Sequence, residues 1–171
     1  MSEYGLLSDI QREIDIMYKL DNPHIIKLHN HFEDDHKVYL LLEYASGGTL
    51  FDKLNQHGQI NEVKAALYLR ELINAVKLLH SLNIIHKDIK PENILINNGC
   101  IKLADFGFCR KLKNDDLART RVGSPIYMAP EILFDKPYTD KCDIFSLGVL
   151  LYEMLFARAP FESNSLPDLK R

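Results

Sequence analysis

Two stretches of this sequence gather the residue types that phosphate chemistry requires: His86-Lys87-Asp88-Ile89-Lys90-Pro91-Glu92-Asn93 and, further along the chain, Asp105-Phe106-Gly107. Phosphoryl transfer is mostly positioning and charge neutralisation. A site for it needs carboxylates for metal ions, a carboxylate near the attacking hydroxyl, and cations around the phosphates. Asp88 and Asp105 supply carboxylates, Asn93 a carbonyl oxygen, and Lys87 and Lys90 positive charge. A hard cation such as magnesium prefers oxygen ligands of this kind. Read blandly, Asp88 and Asn93 are turn residues and Asp105-Phe106-Gly107 is a tight bend, but a turn has no need of the accompanying residues.

The spacing of apolar residues outlines the scaffold that must hold these groups. From Ser8 to Leu20, Ile10, Ile14 and Met17 recur at helical spacing, with Ser8 or Asp9 placed to cap the start and Pro23 to follow the end. Glu13 shares the flank of Met17 and Leu20, so its carboxylate faces the apolar side and needs a partner; a solvated glutamate at the helix edge is the alternative. Ile25 to Phe32 and Val38 to Tyr44, around Glu33-Asp34-Asp35, predict an antiparallel hairpin that Gly47 and Gly48 bring to an end. Leu69, Leu72, Ile73, Val76 and Leu79 predict a long amphipathic helix from Asn61 to Ser81. A second hairpin is expected from Ile94 to Ile96 and Cys100 to Leu103 around Asn97-Asn98-Gly99, and a third helix from about Asp140 to Phe156. Strands beside one early helix, then mostly helices, predict an α+β protein split into two lobes.

With Ala129-Pro130-Glu131 added, three motifs stand in the order and at the separations found in eukaryotic protein kinases, and the sequence resembles that family. The resemblance implies a two-lobed fold. Residues 1–42 would be a partial small lobe from the family's helix C onward, 43–47 the hinge, and 48–171 a partial, mainly helical large lobe reaching about the start of helix G. It also implies roles. Asp88 accepts or orients the substrate hydroxyl proton, Lys90 reaches the transferred phosphoryl group, and Asn93 and Asp105 hold the Mg2+ ions of ATP. Glu13 becomes the helix-C glutamate that pairs with a lysine on the preceding strand. Glu43, Tyr44 and Ala45 match the hinge that hydrogen-bonds adenine, with Leu42 at the back wall of the pocket and Leu95 beneath the ring. Met17, Leu28, His86 and Phe106 match the four apolar positions stacked between the lobes, and Asp143 matches the aspartate that fixes the catalytic-loop backbone.

Lys90 within D-x-K-P-E-N, together with Ser124 in Gly123-Ser124-Pro125, is similar to the serine/threonine branch, where a hydroxyl residue contacts the positions of Asp88 and Lys90. Lys87 departs from the arginine usual in the family and offers phosphate a point charge instead of a planar fork. Thr120 falls where many relatives carry a phosphothreonine, which Lys87 would then hold less rigidly; an unmodified Thr120 is the competing expectation. Phe145 replaces a more usual tryptophan, keeping aromatic packing without the indole donor. The run from Gly123 to Glu131 and Asn164-Ser165-Leu166-Pro167-Asp168-Leu169 are similar to the autophagy-initiating unc-51-like kinases, and polo-like, aurora-like and calcium/calmodulin-dependent kinases share much of the pattern.

Composition bounds the partners. A formal charge of -3 over 171 residues, with signs mixed throughout, gives no basic face for nucleic acid. Cys100, Cys109 and Cys142 are odd in number and widely spaced, which fits a reducing, cytoplasmic setting. No targeting segment follows Met1, and the apolar run from Ile144 to Phe156 is too short to cross a bilayer. His24, His29, His31 and His36 raise the thought of zinc, but alternating strand faces would scatter them and a surface reading is favoured.

Relatives precede helix C with a Gly-rich loop and a lysine-bearing strand, whereas nothing before Glu13 matches G-x-G-x-x-G and no lysine precedes Lys19. The closing helices of the large lobe are likewise expected beyond Arg171, which would leave Glu131 buried without its usual arginine. Two expectations follow. The complete parent domain transfers the gamma-phosphoryl group of ATP to serine or threonine hydroxyls of protein substrates. Alternatively, the chain is a catalytically impaired kinase serving as a binding or regulatory module, with room for a regulatory protein partner.

Overall fold

A computed structural model describes residues 3–111, 123–161 and 165–170. The first helix, α1 (Glu3–Met17), starts earlier than the capping residues suggest, so Ser8 and Asp9 lie within it. Ile14, Ile16 and Met17 are buried on it, and Leu20, just past its end, is buried with them. Strands β1 (Leu28–Glu33) and β2 (Val38–Leu42) pair antiparallel across a turn in which the Asp34 carboxylate accepts the backbone N–H groups of His36 and Lys37, both at 2.8 Å.

The predicted first strand begins three residues late, because Ile25 and Ile26 are engaged elsewhere. They lie against β5 (Cys100–Leu103), which pairs with β4 (Ile94–Asn97) in the second hairpin. Ile25 bridges Leu103 in parallel, the Ile26 N–H donates to the Leu103 carbonyl at 2.9 Å, and the Leu103 N–H returns to His24 at 2.8 Å. This short bridge ties the segment after α1 to the strand that leads into Asp105.

Helix α2 (Leu50–His57) was not signalled by periodicity. A capping box starts it, with Thr49 and Asp52 each accepting from the other's backbone, and Leu50 and Leu54 are its buried residues. Before it, Gly47 lies so close to β4 that an added Cβ would stand 2.6 Å from the Ile96 carbonyl oxygen, so only glycine fits. The long helix α3 (Glu62–Ser81) is capped by Asn61, whose side chain accepts the Lys64 N–H at 2.9 Å. Its buried face is Ala65, Tyr68, Leu72, Ala75, Val76 and Leu79. The expected stripe was rotated slightly: Leu69 sits at the edge and Ile73 is 47% exposed.

Helix α3 packs on α5 (Lys141–Phe156), the third predicted helix. Between them in sequence lie the paired short strands β3 (Ile84–Ile85) and β6 (Arg110–Lys111) and the single-turn helix α4 (Pro130–Leu133), while α6 (Leu166–Leu169) follows α5. One apolar core joins α1, α2, α3, α5 and the β4–β5 hairpin. A smaller cluster of Ile85, Met128, Ala129, Ile132, Leu133, Tyr138 and Cys142 lies under α4. The mixture is the α+β arrangement that the sequence implies. No described helix is long and apolar enough to cross a membrane.

Candidate active site

Strand β3 delivers the chain into the loop carrying Asp88, and the loop is fixed from below by Asp143. That carboxylate, on α5, has no solvent exposure and accepts the backbone N–H groups of His86 and Lys87, each at 2.9 Å. Such charge-assisted bonds are stronger than neutral ones. They hold Lys87 at a φ of +71°, in the left-handed region that costs a side-chain-bearing residue about 1–2 kcal/mol.

His86 joins the loop to the end of β5. Its Nε2 donates to the Ala104 carbonyl at 3.2 Å and its Nδ1 accepts the Asp88 N–H at 3.3 Å, the pattern of a neutral ring. Burial pushes its pKa below the ordinary imidazole value, against the opposing pull of Asp143, Asp105 and Asp88. The ring meets Phe106 edge-on at 5.3 Å, and Met17, Leu28 and Phe106 are buried in the same core. The four positions expected to stack between the lobes are thus all inside.

Asp88 is 2% exposed and its carboxylate is encircled by donors. Lys90 Nζ lies 2.7 Å from Oδ2, and the Asn93 amide donates to the same oxygen at 2.9 Å and to the Asp88 carbonyl at 2.9 Å. The Ser124 N–H and hydroxyl donate to Oδ1 at 3.0 and 3.2 Å, while Lys90 Nζ also donates to the Ser124 hydroxyl oxygen at 2.9 Å. Asn93 thereby commits its amide hydrogens to Asp88 and leaves its carbonyl oxygen as the atom suited to a cation. Its backbone carbonyl accepts the Ala104 N–H at 2.9 Å, which sets Asn93 opposite the residue preceding Asp105.

Asp105 is exposed, and Gly107 donates to its Oδ1 at 3.4 Å. Glu13 reaches this segment from α1. Burial raises its pKa above the usual carboxylate value and the Asp105 charge adds to this, while a hydrogen bond from the Phe106 N–H opposes them. The Glu13 carboxylate lies beside Gly107, 3.5 Å from where a Cβ there would stand, and no ion pair is found for it among the described residues. Asp105 and Asn93 fit magnesium by donor chemistry. Among the described residues no group of three or more His, Cys, Asp or Glu forms a metal cage, and an ion held by one or two protein oxygens plus phosphate needs none. The histidines of the first hairpin go separate ways: His31 pairs with the Tyr18 hydroxyl at 2.9 Å and His24 lies near the Ile101 carbonyl at 3.4 Å.

The segment from Glu43 to Thr49 runs along β4. Gly47 donates to the Ile96 carbonyl at 2.8 Å, Ile96 donates to Gly48 at 2.9 Å, and Thr49 bridges Leu95. This places Ala45 and Leu95, both partly buried, against the same core, with Leu42 and Tyr44 exposed at the strand end. The Glu43 side chain is an anchor, 2.7 Å from Lys102 on β5.

Lys87 is half-buried; burial depresses its pKa, and the neighbouring Arg110 adds to this. Thr120 lies outside the described residues. Phe145 stacks on Phe161 with centroids 6.0 Å apart. One expectation is corrected: Glu131 stands half-exposed in the first turn of α4, where water and the helix N-terminus meet its charge, so it is not a buried orphan. One residue was missed. Gly123 has a φ of +113° and a Cβ there would stand 2.5 Å from the Lys87 carbonyl oxygen, so the glycine before Ser124 is what lets Ser124 reach Asp88. Its signal was the glycine itself beside a functional serine.

A family model described as protein kinase domain matches residues 2–170. An Aurora kinase from Candida glabrata is 39% identical over 164 residues, covering 95% of this chain and 46% of that protein. Calcium-dependent protein kinase 5 from Plasmodium berghei is 43% identical over 164 residues, covering 94% and 29%. Serine/threonine-protein kinase ULK1 from Homo sapiens is 39% identical over 169 residues, covering 93% and 16%. The chain spans less than half the length of each of these three.

Proposed function

Because this chain belongs to the protein kinase domain family, we propose that it provides the catalytic part of an ATP-dependent serine/threonine kinase acting on protein substrates. The observation that carries this reading is the ring of donors from Lys90, Asn93 and Ser124 around the Asp88 carboxylate. A carboxylate so held is kept oriented, ready to accept a hydrogen bond from an incoming hydroxyl and to draw off its proton. Lys90, already poised between Asp88 and Ser124, offers the charge that a departing or arriving phosphoryl group needs.

Mg2+ bound with ATP would be held by Asn93 and Asp105 and would neutralise the phosphate oxygens. Glu13, pointing at the Asp105-Phe106 backbone, is suited to receive a cation that orients the nucleotide. Ala45, Tyr44 and Glu43 present backbone groups beside Leu95 and Leu42 where a flat base could lie, and residues 43–47 separate the small-lobe segment 1–42 from the large-lobe segment 48–171. Lys87 and Arg110 together offer positive charge near the loop, which would suit a phosphate on Thr120.

The unc-51-like group is the subfamily proposed, with the polo-like, aurora-like and calcium/calmodulin-dependent groups sharing much of the pattern; ULK1, an Aurora kinase and a calcium-dependent kinase match at 39%, 39% and 43% identity. A role in autophagy signalling is proposed with it, on the run from Gly123 to Glu131 and the run from Asn164 to Leu169. The test is transfer of labelled phosphate from ATP and Mg2+ to serine, threonine and tyrosine peptides, with the Asp88→Asn variant beside the natural chain. Label on serine or threonine, lost in the variant, supports the reading; binding of partners with no transfer under any condition supports the regulatory-module alternative.

A further inference from the structure

Lys102 takes no part in the chemistry described above, yet it stands where three segments meet. It lies on β5, the strand that leads into Asp105. Its Nζ is 2.7 Å from Glu43 Oε1 and donates to the Pro23 carbonyl at 2.9 Å. Glu43 opens the segment proposed to meet the nucleotide base, and Pro23 belongs to the loop that follows α1, the helix carrying Glu13. The Glu43 carboxylate has further donors, the Lys27 N–H to Oε2 at 3.3 Å and the Asn97 amide to Oε1 at 3.4 Å. Both charged side chains are largely withdrawn from water, 14% exposed for Lys102 and 23% for Glu43. Burial alone would raise the Glu43 pKa, but the hydrogen bonds from Lys102, Lys27 and Asn97 outweigh it and hold the carboxyl below its ordinary value. A partly buried pair of this kind is screened by salt much less than a surface pair.

We infer that Lys102 is a positioning residue for the nucleotide-facing backbone of residues 43–45, registering it against the loop behind α1. The reason lies in what else holds that segment. Tyr44 is 83% exposed, so its ring anchors nothing, and Ala45 meets the core with a single methyl group. The next backbone tie is the Gly47 N–H to the Ile96 carbonyl. Glu43 is therefore the fixed end nearest β2, and Lys102 makes the shortest contact to its side chain. Removing the ammonium releases the carboxylate from β5 and the Pro23 carbonyl at the same time, so the two segments lose their common partner. Lys102 touches neither nucleotide nor substrate in this scheme. Backbone groups that only bind a base lose affinity rather than turnover when their placement loosens.

The proposal rests on the kinase reading for its effect on nucleotide, and the test separates the two. The full chain and its Lys102→Met, Lys102→Arg and Glu43→Gln variants are compared in peptide phosphorylation with ATP and Mg2+ and by nitrogen-15 NMR of backbone amides. Lys64→Met is the control, since that ammonium holds the turn of the same hairpin through the Gly99 carbonyl at 2.7 Å. Expected in Lys102→Met is a KM for ATP about fivefold or more higher, with kcat within about twofold; Lys102→Arg should recover part of it, and KM in Lys64→Met should stay within about twofold. The Ala45 and His24 amide resonances should shift together in Lys102→Met, and that of His24 should shift in Glu43→Gln as well, because the ammonium is shared. A folded Lys102→Met with unmoved Ala45 and His24 amides overturns the inference, as does a recovery no better with arginine than with methionine. An equal rise of KM in Lys64→Met overturns it too, since any loosening of the hairpin would then suffice. If Lys102→Met does not fold, an unmoved His24 amide in Glu43→Gln overturns it. If the natural chain transfers no phosphate, the amide shifts still decide the positioning, and the failure counts against the kinase reading alone.

Discussion

Ser124 donates twice to one oxygen of Asp88, from its backbone N–H at 3.0 Å and from its hydroxyl at 3.2 Å. Two segments far apart in sequence are thereby locked at the atom where an attacking hydroxyl would bind. The backbone donor is permanent, whereas the hydroxyl can rotate away. Ser124→Ala should accordingly keep the fold, with a loss of about 1–2 kcal/mol in urea unfolding for one charge-assisted hydrogen bond. A loss above about 4 kcal/mol would mean that the hydroxyl does far more than this.

Gly123 makes that double contact possible. Adding a methyl group there would collide with the Lys87 carbonyl oxygen and strain a φ of +113°. Gly123→Ala should destabilise by about 1–3 kcal/mol and displace Ser124 from Asp88, visible as a shift of the Ser124 amide resonance. A stable variant with that resonance unmoved would contradict the steric account.

Asp143 accepts two loop N–H groups with no water in reach. Asp143→Ala leaves buried donors unmatched, each costing about 1–3 kcal/mol, so unfolding should shift by roughly 3 kcal/mol or more. Chemical denaturation measures it directly. A change within about 0.5 kcal/mol would show that the loop is held by other contacts.

Glu13 yields a pH prediction. Its folded pKa lies above the usual carboxylate value, chiefly through burial and then through Asp105, so the folded state binds its proton more tightly than the unfolded chain does. Stability from this group is complete below the unfolded pKa and is lost as pH rises through the folded one. Glu13→Gln should thus be more stable than the natural chain at neutral pH, and that advantage should vanish near pH 4. Denaturant titrations at the two pH values decide it; an advantage that grows on acidification would reverse the sign.

Much of the site was legible because its chemistry is local in sequence. Asp88, Lys90 and Asn93 fall within six residues, and the β4–β5 hairpin brings Asp105 back to them by a register its apolar alternation dictates. The long helices declared themselves through their apolar period. What stayed hidden depends on distant pairing or on volume. Ile25 and Ile26 read as the start of a strand, yet their partner is Leu103, far along the chain. Helix α2 is short, and its capping box carries the signal that its apolar residues do not. The exclusion of a side chain at Gly123 by the Lys87 carbonyl is a fact of three-dimensional packing with no period to betray it.

The account stands on Asp88, Asn93 and Asp105 sharing one metal-nucleotide site, and a paramagnetic probe reads this most directly. Mn2+ with a non-hydrolysable ATP analogue, titrated into the nitrogen-15-labelled chain, should broaden the resonances of Asn93, Asp105 and Asp88 first and leave those of α4 sharp. Broadening spread evenly over the surface carboxylates, with Asn93 and Asp105 unaffected, would contradict it.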